Sequence, residues 1–190
     1  YQRCEEAGTD LGQLLTKEKT IAAMKALDGD LDKALGRLSG GLYVVTARQA
    51  DDEGGSRSSA MVASWVSQAS FDPPGLTVAV AKDRAIEALL QVGDRFVLNI
   101  LREDNHQELL RHFLKRFPPG ADRFAGVATL EGVATGGPVL GDALAYLGCR
   151  VLQRMEGPDH WIIYAEVEQG NVADTEASTA VHHRKVGNHY

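Results

Sequence analysis

A hydroxyl-rich stretch followed by two cations contains the residue types best suited to chemistry in this chain. The stretch covers residues 64–69, and Lys82 and Arg84 follow at the end of the next apolar segment. Small hydroxyls and backbone N–H groups in a turn can hold an anion, and a helix predicted to begin at Asp83 adds its positive dipole end. The order predicts a pocket for a flat, phosphorylated ligand. The alternative is an ordinary hairpin with a capped helix behind it, because none of these residues is catalytic by type.

Six histidines are the other candidate groups. His106 and His112 are six residues apart, which does not match the i,i+4 spacing of helical zinc ligands, so no metal site is predicted. His160 follows a Gly-Pro-Asp turn at the head of an apolar segment, a position where a histidine is more often a surface residue than a functional one. The tail 181–190 is interpreted as a polar and aromatic edge over a ligand. Its alternative is a solvated, basic C-terminus.

Motifs for nucleophilic catalysis are absent from the sequence. It contains no Gly-x-Ser-x-Gly elbow, no Gly-x-Gly-x-x-Gly and no Cys-x-x-Cys, and it has no Ser, His and Asp in a recognisable triad order. No catalytic residue is therefore predicted. Hydride transfer by a bound cofactor needs none, since the cofactor supplies the redox chemistry. A binding module without turnover fits the same absence equally well.

Composition limits the class of protein further. With 190 residues and 44% apolar residues, the chain can bury one domain and an appendage. The net charge of -6 and the pI near 5.5 argue against nucleic acid and anionic membranes as partners. No apolar run approaches the ~20 residues of a membrane span. The chain starts without Met or a signal segment, which predicts a piece of a longer, non-secreted polypeptide. Cys4 and Cys149 are far apart, so we expect a reducing, cytoplasmic location.

Hydrophobic patterning predicts a mostly β chain with short helices. Helices are expected up to Leu27, from Asp30 as cap to Gly40-Gly41, after Asp83, and from Asp104 or Asn105 to Pro118-Pro119. β-branched and aromatic runs predict six strands, at residues 42–47, 59–67, 76–81, 96–101, 144–155 and 160–172. This number of strands fits a small closed barrel.

Residues 58–84 resemble the FMN-binding part of the flavin reductase-like split-barrel family. Further stretches match in order, at residues 95–100, 108–113, 122–127, 137–151 and 157–160, so that the resemblance runs from about residue 34 to 190. It implies a mainly β fold with short helices, an FMN-binding split β-barrel at residues 29–190. Residues 1–28 resemble the linker or tail of an upstream flavodoxin-like domain.

Three stretches are similar to the C-terminal flavin reductase-like module of the diflavin flavodiiron proteins of cyanobacteria. They cover residues 63–71, 112–124 and 182–190. The resemblance implies a parent chain with flavodoxin-like and diiron domains, in which electrons pass from NAD(P)H through FMN to a diiron centre that reduces oxygen to water. It also implies a homodimer. The alternative is an FMN-binding electron relay or dimerisation module that has lost turnover.

The resemblance also implies which residues bind the cofactors. The residues expected along FMN are Ser64, Trp65, Val66, Ser67, Gln68, Ala69, Ala81, Lys82, Arg84, Lys115 and Arg116. The residues expected at the nicotinamide of NAD(P)H are His160, His183 and Arg184, with His160 positioning the ring rather than transferring a proton. The chain departs from the common pattern at Val62, usually Thr, at Trp65, usually small, and at Ala81 and Arg84, often Asn and Ser. Trp65 either stacks on the flavin or fills its place.

Overall fold

A computed structural model describes residues 29–51, 54–118, 120–185 and 187 of the chain. The described residues divide into two units, one of residues 40–182 and a smaller one of residues 29–39, 183–185 and 187. The predicted helix ending near Leu27 and the predicted linker over residues 1–28 lie outside the described residues. The predicted domain boundary at residue 29 therefore stays a prediction.

Strands dominate the larger unit. In chain order they are β1 (Gly40–Gly41), β2 (Tyr43–Ala50), β3 (Ser56–Ala63), β4 (Val66–Phe71), β5 (Pro74–Ala81), β6 (Arg95–Ile100), β7 (Thr129–Leu130), β8 (Val139–Leu140), β9 (Ala145–Glu156), β10 (His160–Val172) and β11 (Val181–His182). Helix α1 covers residues 29–35 in the smaller unit, and α2 (His106–Phe113) lies in the larger one together with a 3₁₀ helix at Ala85–Leu89.

The main sheet has seven antiparallel strands in the order β3-β2-β6-β9-β10-β5-β4. Its two outermost strands, β3 and β4, are consecutive in the chain and are joined by only Ser64 and Trp65. A sheet whose opposite edges are joined by so short a link has to curl on itself. Strands β1 and β11 form one small separate pair and β7 and β8 another. This architecture confirms the predicted mainly β, split-barrel fold.

The two faces of the sheet carry two cores, because successive side chains of a strand point to opposite faces. Val45, Val78 and Phe96 belong to the core inside the curled sheet, which the 3₁₀ helix covers with Ile86 and Leu89. The second core lies between the outer face of β2 and β3 and the apolar stripe of α2. Its members include Leu42, Val44, Ala60, Leu101, Leu109, Phe113 and Phe124.

Two predicted boundaries near the candidate pocket are wrong. The strand predicted over residues 59–67 is two strands, interrupted at Ser64 and Trp65. The helix expected to be capped by Asp83 is a 3₁₀ helix that begins at Ala85 and has no side-chain cap. The 3₁₀ helix ends at Leu89, before the left-handed Gly93, where φ is +93°. The predicted helix dipole behind Lys82 is therefore absent from the described structure.

The predicted caps of the other helices also differ from the structure. Neither Asp104 nor Asn105 caps α2 with its side chain, because the guanidinium of Arg102 holds the Asp104 carboxylate at 2.8 Å. Asp30 lies inside α1 and pairs with Lys33 one turn on, rather than capping the helix. Residues Gly40–Gly41 form a strand instead of ending a helix.

Candidate functional site

The predicted flavin residues of the hydroxyl-rich stretch lie along β5. The Ala79 amide donates to the Trp65 carbonyl at 3.0 Å, and the pairing continues with Val66 opposite Val78 and Gln68 opposite Leu76. The five steps from Leu76 to Ala81 span about 16 Å of strand. The structure therefore brings residues 64–69, Ala81 and Lys82 together on the β4–β5 ribbon, over a length suited to an extended flavin mononucleotide.

Ser64 lies where β3 gives way to β4 and has an unused hydroxyl. The residue is 4% exposed, and its Oγ has no hydrogen-bond partner among the described residues. A Cβ added to Gly40 would collide with the Ser64 carbonyl, so that glycine is required for the close approach of β1. A buried hydroxyl without a partner is unfavourable. A polar ligand atom at this break would satisfy it, and in this respect the residues fit a flavin.

Lys82 is held by a carboxylate that sequence reasoning did not identify. Its Nζ donates to Glu156 Oε1 at 2.7 Å, and this hydrogen bond and charge lower the pKa of Glu156. The Lys82 amide is also engaged, because it donates to the Asp159 carbonyl at 3.0 Å. The signal in the sequence was weak, since Glu156 comes far later in the chain. A phosphate at Lys82 therefore competes with Glu156 for the ammonium group.

Arg84, the second predicted phosphate residue, is more loosely arranged. Its Nε lies 3.7 Å from Oδ1 of the neighbouring Asp83, and its amide donates to the Ala81 carbonyl at 3.1 Å. The amides of Lys82 and Arg84 thus both donate to protein carbonyls, which leaves the two side chains as the groups of these residues that can hold a phosphate. The side chain of Arg84 is 59% exposed, so it can turn toward a ligand.

Arg154 is a half-buried cation beside this turn that the sequence analysis missed. Its guanidinium lies 4.3 Å from the Trp161 ring centroid and pairs with Glu87 of the 3₁₀ helix. Lys82 Nζ lies 5.3 Å from the same ring. The alternation of β9 was the signal that could have found it, because Arg154 precedes Glu156 by two residues and shares its face. The cluster fixes the end of β10 and, with it, the position of His160.

His160 is the predicted nicotinamide residue, and it begins β10 opposite Ala81. Its Nδ1 lies 3.0 Å from Asp159 Oδ1, and this hydrogen bond is the main reason that the pKa of Asp159 is lowered. Its ring centroid lies 5.0 Å from that of Trp65, with the planes tilted by 48°. The side chain is 18% exposed. His160 is therefore fixed on two sides, unlike a solvated histidine on a turn.

The remaining predicted residues belong to other elements of the chain. Lys115 and Arg116 follow α2, are exposed, and form no side-chain hydrogen bond or ion pair among the described residues. His183 and Arg184 belong to the smaller unit, where the Arg184 guanidinium donates to the carbonyls of Leu35 at 3.3 Å and Gly187 at 3.1 Å. Their predicted roles stay predictions.

An apolar cavity of about 350 Å³ lies at the end of the strip away from Lys82. Its lining includes Tyr43, Val66, Ser67, Gln68, Leu76 and Leu147. Burial raises the pKa of the Tyr43 hydroxyl, which keeps that group neutral and able to donate a hydrogen bond. Mostly apolar walls with a few polar groups are typical of sites for small organic ligands.

The fold and this strip define the class of the protein, and a comparison with family models agrees. Residues 35–188 match the model described as the flavin reductase like domain. The chain belongs to the flavin reductase-like family. This result confirms the resemblance found in residues 58–84 and supports a flavin oxidoreductase role.

The relatives of this chain include diflavin proteins. Diflavin flavoprotein A 1 of Synechocystis sp. is 64% identical over 190 residues, which is all of this chain. A Nostoc sp. protein named for the same diflavin flavoprotein A series is also 64% identical over 190 residues. The chain spans 32% of the length of each. The predicted resemblance to the diflavin proteins is confirmed, and these relatives contain further chain outside the matched region.

Solved structures agree on the fold. The NADH:FAD oxidoreductase SgcE6 of Streptomyces globisporus C-1027 superposes with a TM-score of 0.70 and 25% identity, covering 80% of this chain and 86% of that one. The flavin reductase PheA2 superposes with a TM-score of 0.63 and 23% identity, covering 78% and 88%. In the part of the chain that the structure describes, no helix is both long and apolar enough to cross a membrane.

Proposed function

We propose that this chain binds FMN along the β4–β5 ribbon and transfers electrons to it from NAD(P)H. One observation carries the proposal: Ser64, Trp65 and Ala81 lie along one antiparallel strand pair, with His160 at its end and an apolar cavity at the other. Family membership supports flavin chemistry in general, and the choice of FMN and of NAD(P)H is part of the proposal.

The flavin, when bound, supplies the redox chemistry by accepting a hydride. The chain supplies binding and orientation. We place the tricyclic ring and the ribityl chain against residues 64–69, where the Ser64 hydroxyl finds a partner, and the phosphate near Lys82 and Arg84. His160 stands opposite Ala81 at the rim, with its Nδ1 engaged by Asp159 at 3.0 Å. This contact fixes the orientation of the imidazole, and its ring edge orders the nicotinamide.

The direct test combines binding with single-turnover kinetics. Adding FMN to the purified chain is expected to perturb the flavin absorbance, and anaerobic mixing with NADH or NADPH in a stopped-flow instrument is expected to bleach it. A chain that leaves the FMN spectrum unchanged contradicts the binding proposal. A chain that binds FMN but is reduced by neither nucleotide contradicts the reductase proposal alone.

That last result is the signature of the second candidate, an FMN-binding relay or dimerisation module without turnover. One observation speaks for it: Trp65 packs against the His160 ring, at the position proposed for the nicotinamide. In a relay, bound FMN exchanges electrons with a protein donor, and the nicotinamide position has no use.

Replacing Glu156 with Gln is expected to tighten FMN binding about two- to fivefold, as befits the loss of one competing ion pair. The reason is that Lys82 Nζ, which now donates to Glu156 at 2.7 Å, becomes free for the phosphate. Titration calorimetry with FMN and with riboflavin measures the effect, and riboflavin affinity should stay unchanged. Glu103→Gln, an exposed carboxylate whose side chain has no described partner, is the matched control. An unchanged FMN affinity in Glu156→Gln places the phosphate away from Lys82.

We also propose a homodimer. Strand β4 is an edge of the sheet, and its residues 66–71 contain no charge, so two copies can approach it without like-charge repulsion. Light scattering is expected to give twice the mass of one chain. A monomer at every salt concentration contradicts this proposal.

In the parent protein, we place this module beside flavodoxin-like and diiron domains in the cytoplasm, where it passes electrons from FMN toward the reduction of oxygen to water.

A further inference from the structure

Trp65 and His160 share one face of the sheet. Residues paired across neighbouring strands point to the same side of a sheet. Trp65 lies opposite Ala79, whose amide donates to the Trp65 carbonyl, and His160 pairs with Ala81. Alternation along β5 puts Ala79 and Ala81 on that same side. The side chains of Trp65 and His160 therefore lie on the same face of the sheet as those of Ala79 and Ala81.

The rings of Trp65 and His160 are in contact on this face. Their centroids are 5.0 Å apart, and Trp65 is 37% exposed. The backbone of Trp65 is held by the hydrogen bond from Ala79 and lies in the break between β3 and β4. The Trp65 ring thus packs at a tilt against the imidazole, whose Nδ1 lies 3.0 Å from Asp159 Oδ1.

We propose that Trp65 closes the nicotinamide position by packing on His160, and that the reductant has to displace it there. The inference rests on the proposed function. It assigns to Trp65, in addition to its place along the flavin, control over entry of the nicotinamide, because Trp65 packs against His160. Trp65 is thereby a residue that determines the affinity for the reductant.

Fluorescence tests the displacement without any turnover. The chain has two tryptophans, so Trp161→Phe leaves Trp65 as the only source of tryptophan fluorescence. In that variant, adding NAD⁺ or NADP⁺ is expected to raise acrylamide quenching of Trp65 about twofold, and His160→Ala is expected to raise it without nucleotide. If Trp161→Phe fails to fold, ¹⁹F NMR of the native chain labelled with 5-fluorotryptophan reports the two signals separately. Nucleotide that binds by calorimetry and leaves the Trp65 signal unchanged overturns the proposal.

Kinetics tests the consequence. Trp65→Ala is expected to lower KM for NAD(P)H about fivefold, the scale of one lost aromatic contact, with Trp65→Phe in between. Val172→Ala, at the far end of β10, is the control. An unchanged KM in Trp65→Ala, or nucleotide bound by neither the native chain nor Trp65→Ala, overturns the proposal.

Different results would contradict the role of Trp65 and the proposed function. Reduction of bound FMN with an unchanged KM in Trp65→Ala removes the role of Trp65 and leaves the proposed function standing. Bound FMN that neither the native chain nor Trp65→Ala allows NAD(P)H to reduce removes the proposed function itself, and this inference with it.

Discussion

Reduction of bound FMN by NAD(P)H is expected to slow about a hundredfold in His160→Ala, while affinity for FMN stays nearly unchanged. A hydride donor misplaced by about 1 Å loses rate on this scale. His160 stands opposite Ala81 and is fixed by Asp159 and Trp65, so its removal takes away a wall of the nicotinamide position. It does not remove the ion pair between Lys82 and Glu156, where we place the phosphate.

Anaerobic stopped-flow measurement of flavin bleaching gives the rate, and calorimetry gives the FMN affinity. His106→Ala is the matched control, because the His106 ring lies at the start of α2, where its Nδ1 is 2.8 Å from the Glu103 carbonyl. His160→Gln retains a polar group of similar reach and is expected to recover part of the rate. If His160→Ala reduces FMN as fast as the native chain, His160 does not position the nicotinamide.

The double variant Lys82→Ala/Arg84→Ala is expected to bind FMN much more weakly than the native chain, with a smaller loss for riboflavin. Each charge-assisted hydrogen bond to a phosphate contributes about 1.5 to 3 kcal/mol, which is roughly ten- to a hundredfold in affinity. We expect Lys82 to lie at the low end, because its bond to Glu156 at 2.7 Å has to be given up first.

Removing the two cations also leaves Glu156 and Asp83 unpaired, and their charge alone would repel a phosphate. The double variant should therefore be repeated with Glu156→Gln, which removes the carboxylate now held by Lys82. The control is Arg57→Ala/Arg111→Ala, two exposed arginines without a described partner. Equal losses for FMN and riboflavin would place the phosphate elsewhere on the protein.

The elements with strong periodicity were predictable from the sequence. Strand β10 was predicted at residues 160–172 and is observed at His160–Val172, and β6 differs from its prediction by one residue at each end. Their apolar and β-branched residues alternate over many positions, so several residues agree on one answer. The break at Ser64 and Trp65 was not predictable in this way, because the small and hydroxyl residues around it carry little periodicity.

The cap of α2 could not be predicted from the sequence, for another reason. Asp104 and Asn105 both have side chains that can cap a helix, and the local pattern cannot choose between them. The structure uses neither, since Arg102 holds Asp104 and also lies 3.3 Å from Asp174. A partner far along the chain thus changed the role of a residue whose type alone suggested a cap.

The sequence by itself determined the fold class, the family and the stretch around residues 64–84 as the candidate site, because alternation, turn residues and local motifs act within a few positions. Only the tertiary structure decided which side chains contact one another at that site. It pairs Lys82 with Glu156, stacks Arg154 on Trp161 and sets Trp65 against His160. These contacts follow from the register of β5 and β9 against β10, which is set by burying the apolar faces of all three strands together.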